Sequence, residues 1–156
     1  MTKLDIMNLG AERAKRTMCE CAGGPFGAVI TRGNEIIAIA SNTVIQDKDP
    51  TAHAEINAIR KACKELGTYD LSGCVLYATG YPCPMCLSAI IWSNIKEVYY
   101  SGSAKDAAEI GFRDDFIYEF INGGCTDWNV LRLQELDPNI ARSMYLEYSK
   151  ISGCIY

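Results

Sequence analysis

Between residues 3 and 21, Leu4, Met7, Ala11, Ala14 and Met18 recur at helical spacing and predict a helix that buries that face. Gly23-Gly24-Pro25 breaks it. The pattern then changes to short apolar, β-rich runs at 26–31 and 35–41, joined by Arg32-Gly33-Asn34 as a hairpin. After a polar loop, Asp49-Pro50-Thr51 introduces a helix over 52–66, with Ile56, Ile59, Cys63 and Leu66 as its buried stripe and Gly67 as its stop. A buried strand follows at 74–79, a helix from Pro84 to Trp92, and a further strand at 97–101. Residues 104–110 and 115–121 read as helical, 129–133 as a fifth strand, and Asp137-Pro138 as the cap of a final helix reaching Lys150. Two successive strand–helix–strand units imply parallel crossovers. The fold class predicted is α/β, a three-layer α/β/α sandwich with a mixed five-stranded sheet, in one domain spanning 1–156.

Composition narrows the setting. Apolar residues make up 49% and charged residues 22%, an ordinary globular balance. No run approaches the roughly 20 apolar residues of a membrane span, and the first residues lack the apolar stretch of a signal peptide, so a cytoplasmic location is expected. In a reducing compartment, eight cysteines point to metal ligands or small buried side chains rather than disulfides. Cys63 and Cys74 fall on apolar faces and read as packing; Cys19, Cys21, Cys125 and Cys154 carry no assigned function. The net charge is −4, and residues 134–156 hold two basic side chains (Arg142, Lys150) against three acidic ones (Glu135, Asp137, Glu147). A long polyanion needs a basic stripe to displace its counterions, so this balance favours a small substrate over nucleic acid.

The chain has one histidine, in Thr51-Ala52-His53-Ala54-Glu55, and thirty residues later comes Pro82-Cys83-Pro84-Met85-Cys86. Together these form H-x-E and P-C-x-x-C, the pattern of zinc-dependent deaminases of bases and nucleosides. Zinc takes three protein ligands from thiolate and imidazole and keeps its fourth position open for water; His53, Cys83 and Cys86 supply the three. Glu55, two residues after the ligand, can move a proton without binding the metal. Both motifs fall at helix starts, where unpaired N–H groups favour anionic sulfur. Two other readings stand beside this one. Cys-Pro-x-Cys after a strand also describes thioredoxin-like redox sites, although Pro82 rather than an aromatic precedes Cys83. A structural zinc site would need a fourth ligand, for which Cys74 is the available kind of residue.

At these residues the chain resembles the cytidine-deaminase-like superfamily, and within it the bacterial guanine deaminases. The likeness includes Gly23-Gly24-Pro25-Phe26-Gly27-Ala28-Val29-Ile30, residues 49–64, residues 82–87, Gly111-Phe112 and Phe116-Ile117-Tyr118. It implies one zinc ion per chain, a homodimer, and hydrolysis of guanine to xanthine and ammonia. Guanosine, cytosine and tRNA adenosine are the alternatives within the same chemistry. It also implies that Asn42 and Asp114 contact the base and that Asp114 assists Glu55 in proton transfer. Phe26, Ala54 and Trp92 are further candidate base contacts. Tyr156 would close a pocket through a C-terminal segment exchanged between two subunits. Tyr81 stands where such proteins commonly carry glutamate, and Arg113 where they often carry an acidic residue.

Overall fold

The computed structural model describes residues 1–151 and 155–156, which leaves Cys154 outside the described residues. The chain divides into two compact units, Met1–Asp115 and Phe116–Tyr156.

In the first unit, helix α1 (Lys3–Cys19) leads into the hairpin β1 (Gly27–Arg32) and β2 (Glu35–Ser41). A short helix α2 (Val44–Asp47) interrupts the loop expected to be irregular, and α3 (Ala54–Leu66), β3 (Cys74–Gly80), α4 (Pro84–Trp92), β4 (Glu97–Gly102) and α5 (Ala104–Glu109) follow. The sheet is mixed, in the order β2-β1-β3-β4. β1 runs antiparallel to both β2 and β3, and β3 runs parallel to β4. β2, β3 and β4 therefore share one direction, as the two crossover units require. Their carboxyl ends, Ser41, Gly80 and Gly102, lie along one edge with the start of β1, since Gly27 pairs with Ser41 and Ala28 with Ala78.

Side-chain alternation along the strands separates two apolar layers. Ala28, Ile30, Leu76 and Ala78 face Ala54, Ala58 and Ala62 of α3 and Ile90 of α4. Val29 and Tyr77 point the other way, toward Ile6 of α1. The unit is thus an α/β/α sandwich over four strands. The helix faces differ from the expected ones. α3 buries Ala54, Glu55, Ala58 and Ala62, while Ile59, Cys63 and Leu66 flank that stripe; α1 buries Ile6, Gly10, Ala14 and Thr17 and leaves Leu4 exposed. Close approach explains the face of α1. A Cβ on Gly27 would lie 2.0 Å from the Gly10 carbonyl oxygen, so large side chains cannot occupy that seam.

The second unit continues α6 (Asp115–Asn122) and contains α7 (Pro138–Lys150). Asp137 caps α7 by accepting the Asn139 N–H at 3.1 Å, with Pro138 at the first helical position, as the sequence predicted. The fifth strand expected at 129–133 is absent: those residues leave a turn and run irregularly to Asp137. Apolar residues in short runs do not by themselves make a strand, which needs a ladder partner for its backbone groups. Among the described residues of this unit none is buried, and Leu136 is 89% exposed.

Candidate active site

Two helix starts meet at the carboxyl edge of the sheet. His53 is the N-cap of α3 and Cys83 the N-cap of α4, both with extended backbone. His53 makes no side-chain cap bond, and the Cys83 sulfur meets its own first turn through Cys86 in place of the oxygen cap that a serine or aspartate would supply. The ring and the sulfur are therefore left to face each other. Cys83 Sγ and Cys86 Sγ each lie 3.6 Å from His53 Nδ1, and the three donor atoms all fall within 4.8 Å of one another. Tetrahedral zinc with ordinary Zn–S and Zn–N lengths separates sulfur from nitrogen by about 3.55 Å. The donor set thus fits zinc in both chemistry and spacing. Among the described residues no fourth His, Cys, Asp or Glu joins the cluster. Cys74 is buried at the far end of β3, about 20 Å along the strand from Gly80, so the fourth-ligand alternative has no support from geometry.

Burial and charge tune the groups. The Cys86 thiol donates toward Cys83, and with His53 beside it the Cys83 sulfur is pushed down to about 4. Cys86 is correspondingly pushed up, first by the neighbouring Cys83 sulfur and then by burial. The Cys83 sulfur also raises His53 against the lowering effect of burial. Glu55 is buried at the second position of α3, and burial, then the Cys83 charge, raise its carboxyl above the ordinary 4.5.

The loops along the same edge carry the other expected residues. Asn42 is buried, and its Oδ1 accepts the N–H groups of Gly24 at 3.1 Å and Val44 at 3.2 Å. That fixes the flip of the amide and directs its Nδ2 donor away from those bonds. Phe26 is half-buried, its ring meeting Phe112 edge to face at 5.0 Å, with Gly24 and Gly80 pressed against it. Phe112 is a partner that periodicity alone does not reveal. Ala54 sits buried between His53 and Glu55.

Asp114 is half-buried; burial and the Cys83 charge raise its carboxyl above the usual carboxylate range. Its neighbour Asp115 is instead gripped by Arg113, at 3.1 Å from Nε and 2.5 Å from a terminal guanidinium nitrogen. Tyr81 packs edge to face on Tyr100 at 5.0 Å, and its N–H bonds the Gly102 carbonyl at 2.8 Å. Two expected contacts are not brought to the cluster within the first unit. Trp92 ends α4, 75% exposed and about 12 Å along the helix from Pro84. Tyr156 belongs to the second unit and is exposed.

Residues 2–102 match the family model of the cytidine and deoxycytidylate deaminase zinc-binding region. The chain is 53% identical over 115 residues to a guanine deaminase of Bacillus subtilis (strain 168), an alignment covering 71% of this chain and 74% of that protein. It is 44% identical over 105 residues to a tRNA-specific adenosine deaminase of Aquifex aeolicus, covering 67% and 69%. The X-ray structure of guanine deaminase from Bacillus subtilis matches with a TM-score of 0.91 at 38% identity, covering 100% of this chain and 99% of that one.

Proposed function

Because the chain belongs to the cytidine and deoxycytidylate deaminase zinc-binding family, we propose that it is a guanine deaminase converting guanine and water to xanthine and ammonia. The carrying observation is the convergence of His53, Cys83 and Cys86 beside the buried Glu55. The choice of base rests on the full-length likeness to a guanine deaminase.

His53, Cys83 and Cys86 would hold one zinc ion per chain. When bound, zinc supplies Lewis acidity and lowers the pKa of water. Glu55 takes one proton from the attacking water as it adds to C2 of the base, and takes the second from the added hydroxyl as the bond from C2 to the amine breaks. The same carboxyl then returns protons to the ring nitrogen and to the departing amine, and a pKa raised by burial suits both directions of transfer. Asn42 presents its Nδ2 to an acceptor on the base, and Asp114 assists at the amine. Phe26 offers a ring edge and face, and Ala54 a small wall beside the ligand. Tyr156 would act across subunits.

That last point bears on assembly. We take the protein as a homodimer that exchanges its C-terminal segment, with Tyr156 closing the partner's pocket. The unburied apolar side chains of the second unit, among them Leu133, Leu136 and Tyr145, support this. No helix among the described residues is long and apolar enough to cross a membrane.

Ammonia release from guanine, guanosine, cytosine, adenine and a tRNA anticodon stem tests the reading. Guanine is expected to react fastest. Turnover of the tRNA stem with guanine inert would assign the chain to the other relative's chemistry.

A further inference from the structure

Asn57 lies one turn beyond His53 in α3, where asparagine is a poor helix former and ordinarily solvates an exposed face. Here its side chain reaches back over the helix start. Its Nδ2 donates to the Ser41 carbonyl at 2.9 Å, to the Thr43 hydroxyl at 2.9 Å and to the Ala52 carbonyl at 3.3 Å. Its backbone N–H bonds the His53 carbonyl at 2.9 Å. Two of those acceptors stand on either side of Asn42, and the other two precede Ala54 and Glu55. The Thr43 N–H closes the frame on the Ala52 carbonyl at 3.0 Å, and the Thr43 hydroxyl donates to the Asp47 carboxylate at 2.5 Å.

We infer that Asn57 is a positioning residue that holds the Asn42 amide in register with His53 and Glu55, and so sets how tightly the base is bound. The inference rests on Asn42 contacting the base. A helix interior needs no such side chain for its own stability, and the bonds join the two segments that must stay at fixed separation for one ligand to touch both. Asn42 has already committed its Oδ1 to Gly24 and Val44. Slack in Ser41–Thr43 therefore moves its Nδ2 directly.

The experiment is a double-mutant cycle on the zinc-loaded full chain, with Asn57→Ala placed in the wild-type and Asn42→Ala backgrounds. Asn57→Ala should raise KM by about fivefold or more, the value of one well-made hydrogen bond, with kcat and zinc content little changed. In the Asn42→Ala background the same change should leave KM nearly unaltered. Equal effects in both backgrounds, an unchanged KM, or parallel loss of zinc would overturn the inference. Should Asn57→Ala fail to fold, Thr43→Val removes one acceptor and runs the same cycle with a smaller shift. Hydrogen exchange provides an arm without substrate: the amides of residues 42–44 should exchange about tenfold faster in Asn57→Ala, with β3 unaffected. If the wild type deaminates no base, the functional reading fails and this arm decides the positioning alone; unchanged exchange sinks it.

Discussion

Cys83 Sγ stands 3.6 Å from His53 Nδ1, although thirty residues and an entire strand separate them in the chain. Each occupies the N-cap of its own helix in backbone geometry, and neither makes the usual oxygen cap. The sheet brings the two caps together because β2 and β3 run the same way and end on one edge. A metal ion held there would be bound by all three side chains.

Metal content and proton transfer should therefore separate by residue. His53→Ala, Cys83→Ser and Cys86→Ser are each expected to lose zinc and activity together, since three ligands leave no reserve. Glu55→Gln should keep the metal and lose about 10²- to 10⁴-fold in kcat. Metal analysis by mass spectrometry beside single-turnover kinetics reads both. A reversible Cys83–Cys86 disulfide with no zinc uptake would restore the redox alternative.

Glu55 should also cost the metal-stripped protein stability at neutral pH. Its folded carboxyl lies above 4.5, so the native state binds the extra proton. The resulting stability is complete below the unfolded value and is lost as pH rises through the folded one. Stripped Glu55→Gln is expected to melt above stripped wild type at pH 8, with the gap closing toward pH 4.5. A gap independent of pH would mean that burial does not tax this carboxylate.

Asp114 and Asp115 are adjacent but differently committed. Asp115 is held by the Arg113 fork, whereas Asp114 has a raised carboxyl near Cys83. Asp114→Asn should lower kcat by about tenfold to a hundredfold, and Asp115→Asn should stay within a few-fold of wild type. Steady-state kinetics on guanine decides it. The reverse order would make Asp115 the working acid and Arg113 its switch.

The cluster of His53, Cys83 and Cys86 with the buried Glu55 beside it was legible because chemistry restricts the residue types and their spacing is local to two helix starts. Most element positions were legible too, since Gly67, Pro84 and Asp137-Pro138 mark boundaries through backbone geometry. The buried faces of α1 and α3 were not. Periodicity weighs Leu4 and Ile56 heavily, while the α1 seam on the sheet runs through Gly10 and the α3 face, on the other side, through Ala54, Ala58 and Ala62, which read as neutral. The strand expected at 129–133 is absent because a short apolar run does not specify a ladder partner; those residues leave a turn and run irregularly to Asp137. Asn57 escaped notice because its acceptors, Ser41, Thr43 and Ala52, are set by the fold and not by its neighbours in sequence.

That same seam gives a test of packing free of any assumption about activity. Gly27 and Gly33 both sit at the hairpin of β1, but for different reasons. A methyl at Gly27 would lie 2.0 Å from the Gly10 carbonyl oxygen and 2.7 Å from its carbon, backbone atoms that cannot swing aside. A methyl at Gly33 meets nothing within 4 Å, and only its positive φ of 57° opposes it. Gly33→Ala should therefore cost about 1–2 kcal/mol, the left-handed penalty of an L residue. Gly27→Ala must push α1 off the sheet and should cost 3 kcal/mol or roughly more, at or beyond the upper end of ordinary overpacking. Urea unfolding of the two variants ranks them. Equal stabilities would mean that α1 packs more loosely on β1 than a shared seam of bare backbone allows.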